Sequence, residues 1–147
     1  MRFLSLKKNI SKNVPSTTQS KYFGTKMKAI KIGDIKSEDK STDSMFIGKV
    51  SLQVLTDLPD QMKREFSIAI VHFNAGARNK FHTHSASQIL YVTEGTGVVA
   101  TEKEEIKVTP GTVILIPAGE KHWHGATEDS AFSHISIMPP GETKMAL

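Results

Sequence analysis

The sequence contains no cysteine. That absence excludes a disulfide scaffold, a thiolate metal site and a cysteine nucleophile, and it is compatible with a reducing compartment. Any metal ion would have to be held by nitrogen and oxygen. No run of about 18 apolar residues occurs, so no segment reads as a membrane-spanning helix and no membrane partner is expected. A helical period is not sustained in any long window, which excludes a helical bundle. There is no internal repeat and no Gly/Ser-rich or Pro-rich linker, so nothing marks a second folded domain.

Negative charge is missing from one part of the chain only. Residues 1–33 carry eight Lys or Arg and no acid, whereas residues from Asp34 onward carry 11 basic and 15 acidic residues. The formal net charge of +4 therefore belongs to the start of the chain, and the remainder is acidic. No basic face interleaved with aromatics follows, so nucleic acid is not an expected partner. The organisation expected is a basic, flexible extension over residues 1–33, a β-barrel over residues 34–140 and a short C-terminal tail over residues 141–147. Residues 1–26 are open to three readings: an organelle transit peptide, an unstructured extension, or an upstream start codon with translation beginning at Met27. The last two are preferred, because Lys predominates over Arg and Pro15 interrupts any amphipathic helix. The expected location is the cytoplasm.

Short strand-like segments are abundant. Apolar or β-branched runs fall at about 45–55, 64–73, 87–93, 97–101, 105–109, 112–116, 121–127 and 131–138. Gly76, Gly95, Gly97, the Pro110-Gly111 pair, Pro117 and Gly119 punctuate them with turn chemistry suited to antiparallel connections. Residues 37–44 read as a polar loop, and 57–64 as a helical turn or a loop. Strands at this spacing predict an all-β antiparallel sandwich or barrel.

The six histidines carry the chemistry. His82 and His84 are two apart in an extended segment, so both imidazoles face the same side, and the same holds for His122 and His124. Gln88, at the start of the next strand, offers a neutral carbonyl oxygen. Clustered imidazoles without thiolate suit Mn, Fe, Co, Ni, Cu or Zn.

Residues 76–95, GARNKFHTHSASQILYVTEG, and residues 111–125, GTVILIPAGEKHWHG, resemble the two sequence motifs of the cupin family. Together with the flanking strands the resemblance covers about residues 45–138. It implies a small single-domain, RmlC-like cupin: an antiparallel double-stranded β-helix, or jelly-roll barrel, with one divalent transition metal on His82, His84, Gln88 and His122. Gln88 stands where the family usually has Glu, and Ala126 stands where Asn commonly closes the second motif. The Gln variant, with FHTHSASQ and GEKHWHG, is similar to small manganese-type bacterial cupins that include the cupin hydroxynitrile lyases. Manganese is therefore the favoured ion, with Fe, Ni, Cu and Zn as alternatives.

Four neutral ligands leave the charge of a dication uncompensated, which strengthens it as a Lewis acid toward a substrate hydroxyl. A small hydroxy compound such as a cyanohydrin is the small-molecule substrate expected. His124 is the expected proton acceptor and His134 its partner, because an imidazole near a dication stays neutral at pH 7. Trp123 points away from the two flanking histidines, and His72 is read as structural. Asn79 faces inward only if a bulge separates it from the ligand pair, while Arg78 and Lys80 read as mouth or surface residues. Leu90, Val92, Ile114 and Ile116 are expected inside the barrel. Two further functions stand beside the lyase: a metal- and oxygen-dependent dioxygenase, and a non-catalytic small-molecule sensor. Exposed sheet edges favour a homodimer.

Overall fold

The computed structural model describes residues 27–146. The three readings of residues 1–26 concern positions outside the described residues. A 3₁₀ turn at Ile32–Asp34 precedes β1 (Glu38–Asp39), β2 (Phe46–Ile47), β3 (Val50–Val54), the short helix α1 (Asp60–Glu65) and β4 (Ser67–Phe73). Then come β5 (Arg78–Asn79), β6 (His82–His84), β7 (Gln88–Gly95), β8 (Gly97–Thr101), β9 (Glu105–Val108), β10 (Val113–Ile116), β11 (His122–Ala126), β12 (Phe132–Met138) and β13 (Thr143–Met145). Every strand pairing is antiparallel. One sheet runs β1-β3-β4-β12-β7-β10; the other runs β13-β6-β11-β5-β2, with β8 also on β11 and β9 on β8. The all-β barrel expected from the strand spacing is the fold that forms. Among the described residues, no helix is long and apolar enough to cross a membrane.

Alternation along the strands divides the interior into layers. On β12 the inward series is Phe132, His134 and Ser136, all buried, while Ile135 and Ile137 are only half-buried on the outer face. The Phe132 level is apolar: Phe73, Val50 and Val92 are buried with it in one core cluster, and Phe73 stacks on Phe132 at 6.0 Å between ring centroids. The expected inward residues Leu90, Val92 and Ile116 are buried, and Ile114 packs against the same cluster. One step along the strands polar groups replace apolar ones, so a closed hydrophobic end supports a polar chamber. Phe73 links the two, with its ring 5.9 Å from that of His124 and 5.8 Å from that of His134.

Several segments depart from the sequence reading. The run at 45–55 is not one strand: Gly48, at φ 82°, turns the chain so that β2 joins one sheet and β3 the other. The helical turn allowed at 57–64 forms as α1 over residues 60–65, so the strand expected from 64 begins only at Ser67. Within the polar loop at 37–44, Glu38 and Asp39 add a two-residue strand to β3. Described residues of the basic extension are anchored: Gln53 Nε2 donates to the carbonyl of Ile32 at 2.9 Å, and Lys28 pairs with Asp57. Thr143–Met145 of the expected C-terminal tail form strand β13, paired with β6. Its residues are individually polar or exposed, so only the backbone ladder reveals it.

Gly125 faces Arg78 across the β11–β5 pairing, and an added Cβ would overlap the Arg78 backbone and the Ala77 carbonyl. Gly125→Ala should lower the urea midpoint, a stability loss of about 1–3 kcal/mol. Gly33→Ala, where an added Cβ meets nothing within 4 Å, should leave that midpoint unchanged.

Candidate metal centre

His82 and His84 share β6, and His122 lies directly across from His82 on β11. All three are buried, and each offers one ring nitrogen such that the three atoms lie within 4.8 Å of one another. The strand periodicity that placed His82 beside His84 therefore holds, and the barrel supplies the third imidazole from a strand 38 positions further on.

Two main-chain carbonyls and a side-chain hydroxyl orient the rings. His82 Nδ1 lies 2.8 Å from the Lys80 carbonyl, His122 Nδ1 2.8 Å from the Glu120 carbonyl, and His84 Nδ1 2.9 Å from Thr143 Oγ1. Carbonyls only accept, so His82 and His122 carry hydrogen on Nδ1 and expose a lone pair on Nε2. His84 Nε2 and His122 Nε2 are buried with no hydrogen-bond partner, and so is Gln88 Oε1. The Gln88 amide is turned by its own nitrogen, which donates to Ser136 Oγ at 2.9 Å. Buried polar atoms left unpaired are costly. Two imidazole nitrogens and an amide oxygen lining one interior site form a donor set that fits a divalent transition ion, with His82 as the further nitrogen ligand. Burial holds His82 and His84 down to about pKa 4 and lowers His122 as well. All three are neutral at pH 7, the form that binds metal.

Deeper in the barrel sit the two histidines expected to carry catalysis. His124 and His134 are buried, and His134 Nε2 is 3.0 Å from His124 Nδ1. Burial pushes His134 down to about pKa 3 and His124 well below the usual imidazole value, so both are neutral. Asn79 accepts the His124 backbone N–H at 2.8 Å, and its amide nitrogen lies 3.1 Å from Nε2 and 3.3 Å from Nδ1 of the same ring. The lone-pair directions of the two ring nitrogens diverge, so a donor this evenly placed lies on neither. Asn79 clamps the ring without consuming Nε2.

A bulge puts Asn79 there. Gly125 pairs with Arg78 and His122 with His82, so three steps on β11 oppose four on β5–β6. The extra residue lies at Lys80–Phe81 and lets Asn79 face inward together with both ligand-pair histidines. Lys80 is exposed, and the Arg78 guanidinium sits 4.7 Å from the Trp123 ring centre on the outer face of β11. Trp123 thus points away from the chamber as expected. His72 is outward too, bonded to Ser133 Oγ and Gln53 Oε1 at 2.9 and 2.8 Å.

His82, His84, Gln88, His124, His134 and Asn79 line a cavity of about 220 Å³. Phe46, Leu52, Val71 and Met138 form its apolar wall, and none of its lining residues is Lys, Arg, Asp or Glu. Thr143 and Ser136 were not legible as site residues. Neither lies in a histidine motif, and both reach the site through strand pairing distant in sequence.

The Cupin domain family profile matches residues 69–138. The chain is 37% identical to an (R)-mandelonitrile lyase of Granulicella tundricola over 99 residues, 67% of this chain and 74% of that protein. It also resembles the crystal structure of a cupin-like protein from Thermotoga maritima, with TM-score 0.65, 31% identity and coverage of 71% of this chain and 80% of the other. The polyketide cyclase RemF from Streptomyces resistomycificus shares the fold at TM-score 0.72 and 21% identity, over 83% and 87% of the two chains.

The depressed histidine pKa values make stability depend on pH in the ion-free protein. Unfolded histidine titrates near 6.5 and folded His82 and His84 near 4, so between these values the unfolded chain binds more protons. The contribution is complete above about pH 6.5 and is lost as pH falls toward 4. Thermal midpoints of chelator-treated protein should decline across that window, and replacing His82 and His84 together by Gln should flatten the decline.

Proposed function

The chain belongs to the cupin family, and on that premise we propose that it is a metal-dependent lyase acting on a small hydroxy compound, a cyanohydrin by preference. The observation that carries this reading is the pairing of a neutral His₃Gln donor set with a second buried histidine pair in one uncharged cavity. The similarity to an (R)-mandelonitrile lyase supports it.

His82, His84, Gln88 and His122 would hold the ion, manganese by preference, and when bound it would supply Lewis acidity toward the substrate hydroxyl. Three imidazoles and an amide bring no negative charge, so they cancel none of that acidity. His124 Nε2 accepts the hydroxyl proton, and its Nδ1–H donates to His134 Nε2 at 3.0 Å. His134 stays neutral in its apolar setting and so remains an acceptor as His124 becomes cationic. Asn79 fixes the main chain at His124 through its oxygen and lays its amide nitrogen against the ring. Phe46, Leu52 and Val71 receive the apolar part of the substrate.

A second copy of the chain is the proposed partner. On the outer face of the first sheet, Val113 pairs with Tyr91 and Leu115 with Ile89, and Ile135 and Ile137 continue the band on β12. Leu115 is 73% exposed and Val113 55%. The exposed part of the band is on the order of 400 Å², about half of the roughly 800 Å² that each partner buries in a standard dimer. It has no charged side chain, so two copies meet without like-charge contact, as a two-fold interface requires.

Manganese-loaded protein should release cyanide from (R)-mandelonitrile without consuming oxygen. His124→Ala should lower kcat by about 10²-fold or more while the protein retains its ion. No cyanide release from any of a panel of cyanohydrins sinks the lyase reading, and oxygen uptake coupled to substrate loss would favour a dioxygenase. In sedimentation equilibrium the wild type should run as a dimer and Leu115→Asp as a monomer; a monomeric wild type at micromolar concentration removes the interface.

A further inference from the structure

Two of the three clustered histidines are held by groups that no side-chain substitution can remove, the Lys80 and Glu120 carbonyls. Their tautomers are set before anything binds. His84 differs, because its Nδ1 faces the Thr143 hydroxyl, which donates as readily as it accepts. Thr143 leaves the His84 tautomer open.

Thr143 belongs to β13, whose three residues are all exposed and which, among the described residues, pairs only with β6, the strand that carries His82 and His84. Thr143 lies directly across from His84, and Met145 across from His82. Beyond the ladder, the strand is tied by Ser85 N–H to the Glu142 carbonyl at 3.0 Å, Glu142 N–H to Ser85 Oγ at 2.9 Å, and Ala146 N–H to the Phe81 carbonyl at 2.9 Å. It is a light attachment with little apolar burial, so its docking free energy is small. A change in one hydrogen bond is then a large part of the whole.

We propose that Thr143 is a positioning residue for His84, and that docking of the C-terminal strand and capture of a metal ion at His82, His84 and His122 are linked equilibria. The proposal rests on reading the cluster as a metal site. Ion capture requires the Nε2 lone pair of His84, which places the hydrogen on Nδ1 and makes Thr143 Oγ1 the acceptor. An imidazole engaged by a cation at one nitrogen is a stronger donor at the other. The Thr143 bond is therefore stronger in the ion-loaded protein than in the free one. Linkage is reciprocal, so a docked β13 raises ion affinity by the same factor by which the ion favours docking.

Thr143→Val preserves the side-chain shape and removes the hydroxyl, whereas Thr143→Ser keeps it. The position is exposed, so neither substitution disturbs the core, and equal thermal midpoints of the ion-free proteins verify this. With Mn²⁺ alone as the probe and a fluorescent chelator as competitor, Thr143→Val should bind about tenfold more weakly than wild type. This is the low end of the range for such partners, because water can reach the site. Thr143→Ser should recover to within about threefold of wild type. Amide hydrogen exchange across residues 142–146 should slow on Mn²⁺ addition in wild type and Thr143→Ser, and much less in Thr143→Val. Equal affinity of wild type and Thr143→Val overturns the proposal, as does exchange in the wild-type segment that ignores Mn²⁺. A wild type that binds no ion overturns the metal reading and this proposal with it, an outcome distinct from wild-type binding without a Thr143 effect.

Discussion

Among the described residues, five buried imidazoles share the interior of this barrel with no buried carboxylate beside them. Histidines this close cannot all be protonated, and burial already disfavours the charged form. Neutrality then forces a directional solution in which one ring nitrogen is committed to a fixed partner and the other is turned inward. His82 and His122 meet it with main-chain carbonyls, His84 with Thr143, and His124 and His134 with each other. Nε2 of His84, Nε2 of His122 and the Gln88 oxygen are what remains at the cluster. A divalent cation would serve several of these inward lone pairs at once.

The backbone is shaped around that requirement. Alternation alone would put Asn79 and His82 on opposite faces of one strand. The extra residue at Lys80–Phe81 resets the phase, so the clamp on His124 and the ligand pair both face the chamber. Gly125 permits the close approach of β5 to β11 on which that geometry rests. At the other end of the barrel, Phe73 and Phe132 close the core and give His124 and His134 a rigid apolar floor.

The combination narrows the chemistry more than the fold does. The cupin framework is shared with a polyketide cyclase at 21% identity, which speaks to architecture alone. The uncharged wall of the cavity, the neutral donor set and the His124–His134 pair are properties of this chain's own residues. Together they give the chamber groups that can accept and hand on a proton without placing a charged side chain in its wall.

Much of the site was written locally. His-x-His in an extended segment puts two imidazoles on one face because side chains alternate with a period of two, and that rule needs no knowledge of the fold. The same rule sent Trp123 outward and, with Gly and Pro at the turns, foretold an antiparallel sandwich or barrel. Other features depend on strands that meet only after folding. The break at Gly48 between two sheets, the phase shift before His82, Ser136 on the Gln88 amide and Thr143 on His84 join positions up to 59 residues apart. No periodicity records such partners, since hydrogen bonds between distant strands are set by register. Sequence by itself determined which residues could hold an ion; tertiary structure decided how each is oriented, because only the assembled barrel supplies the acceptors that turn their lone pairs inward.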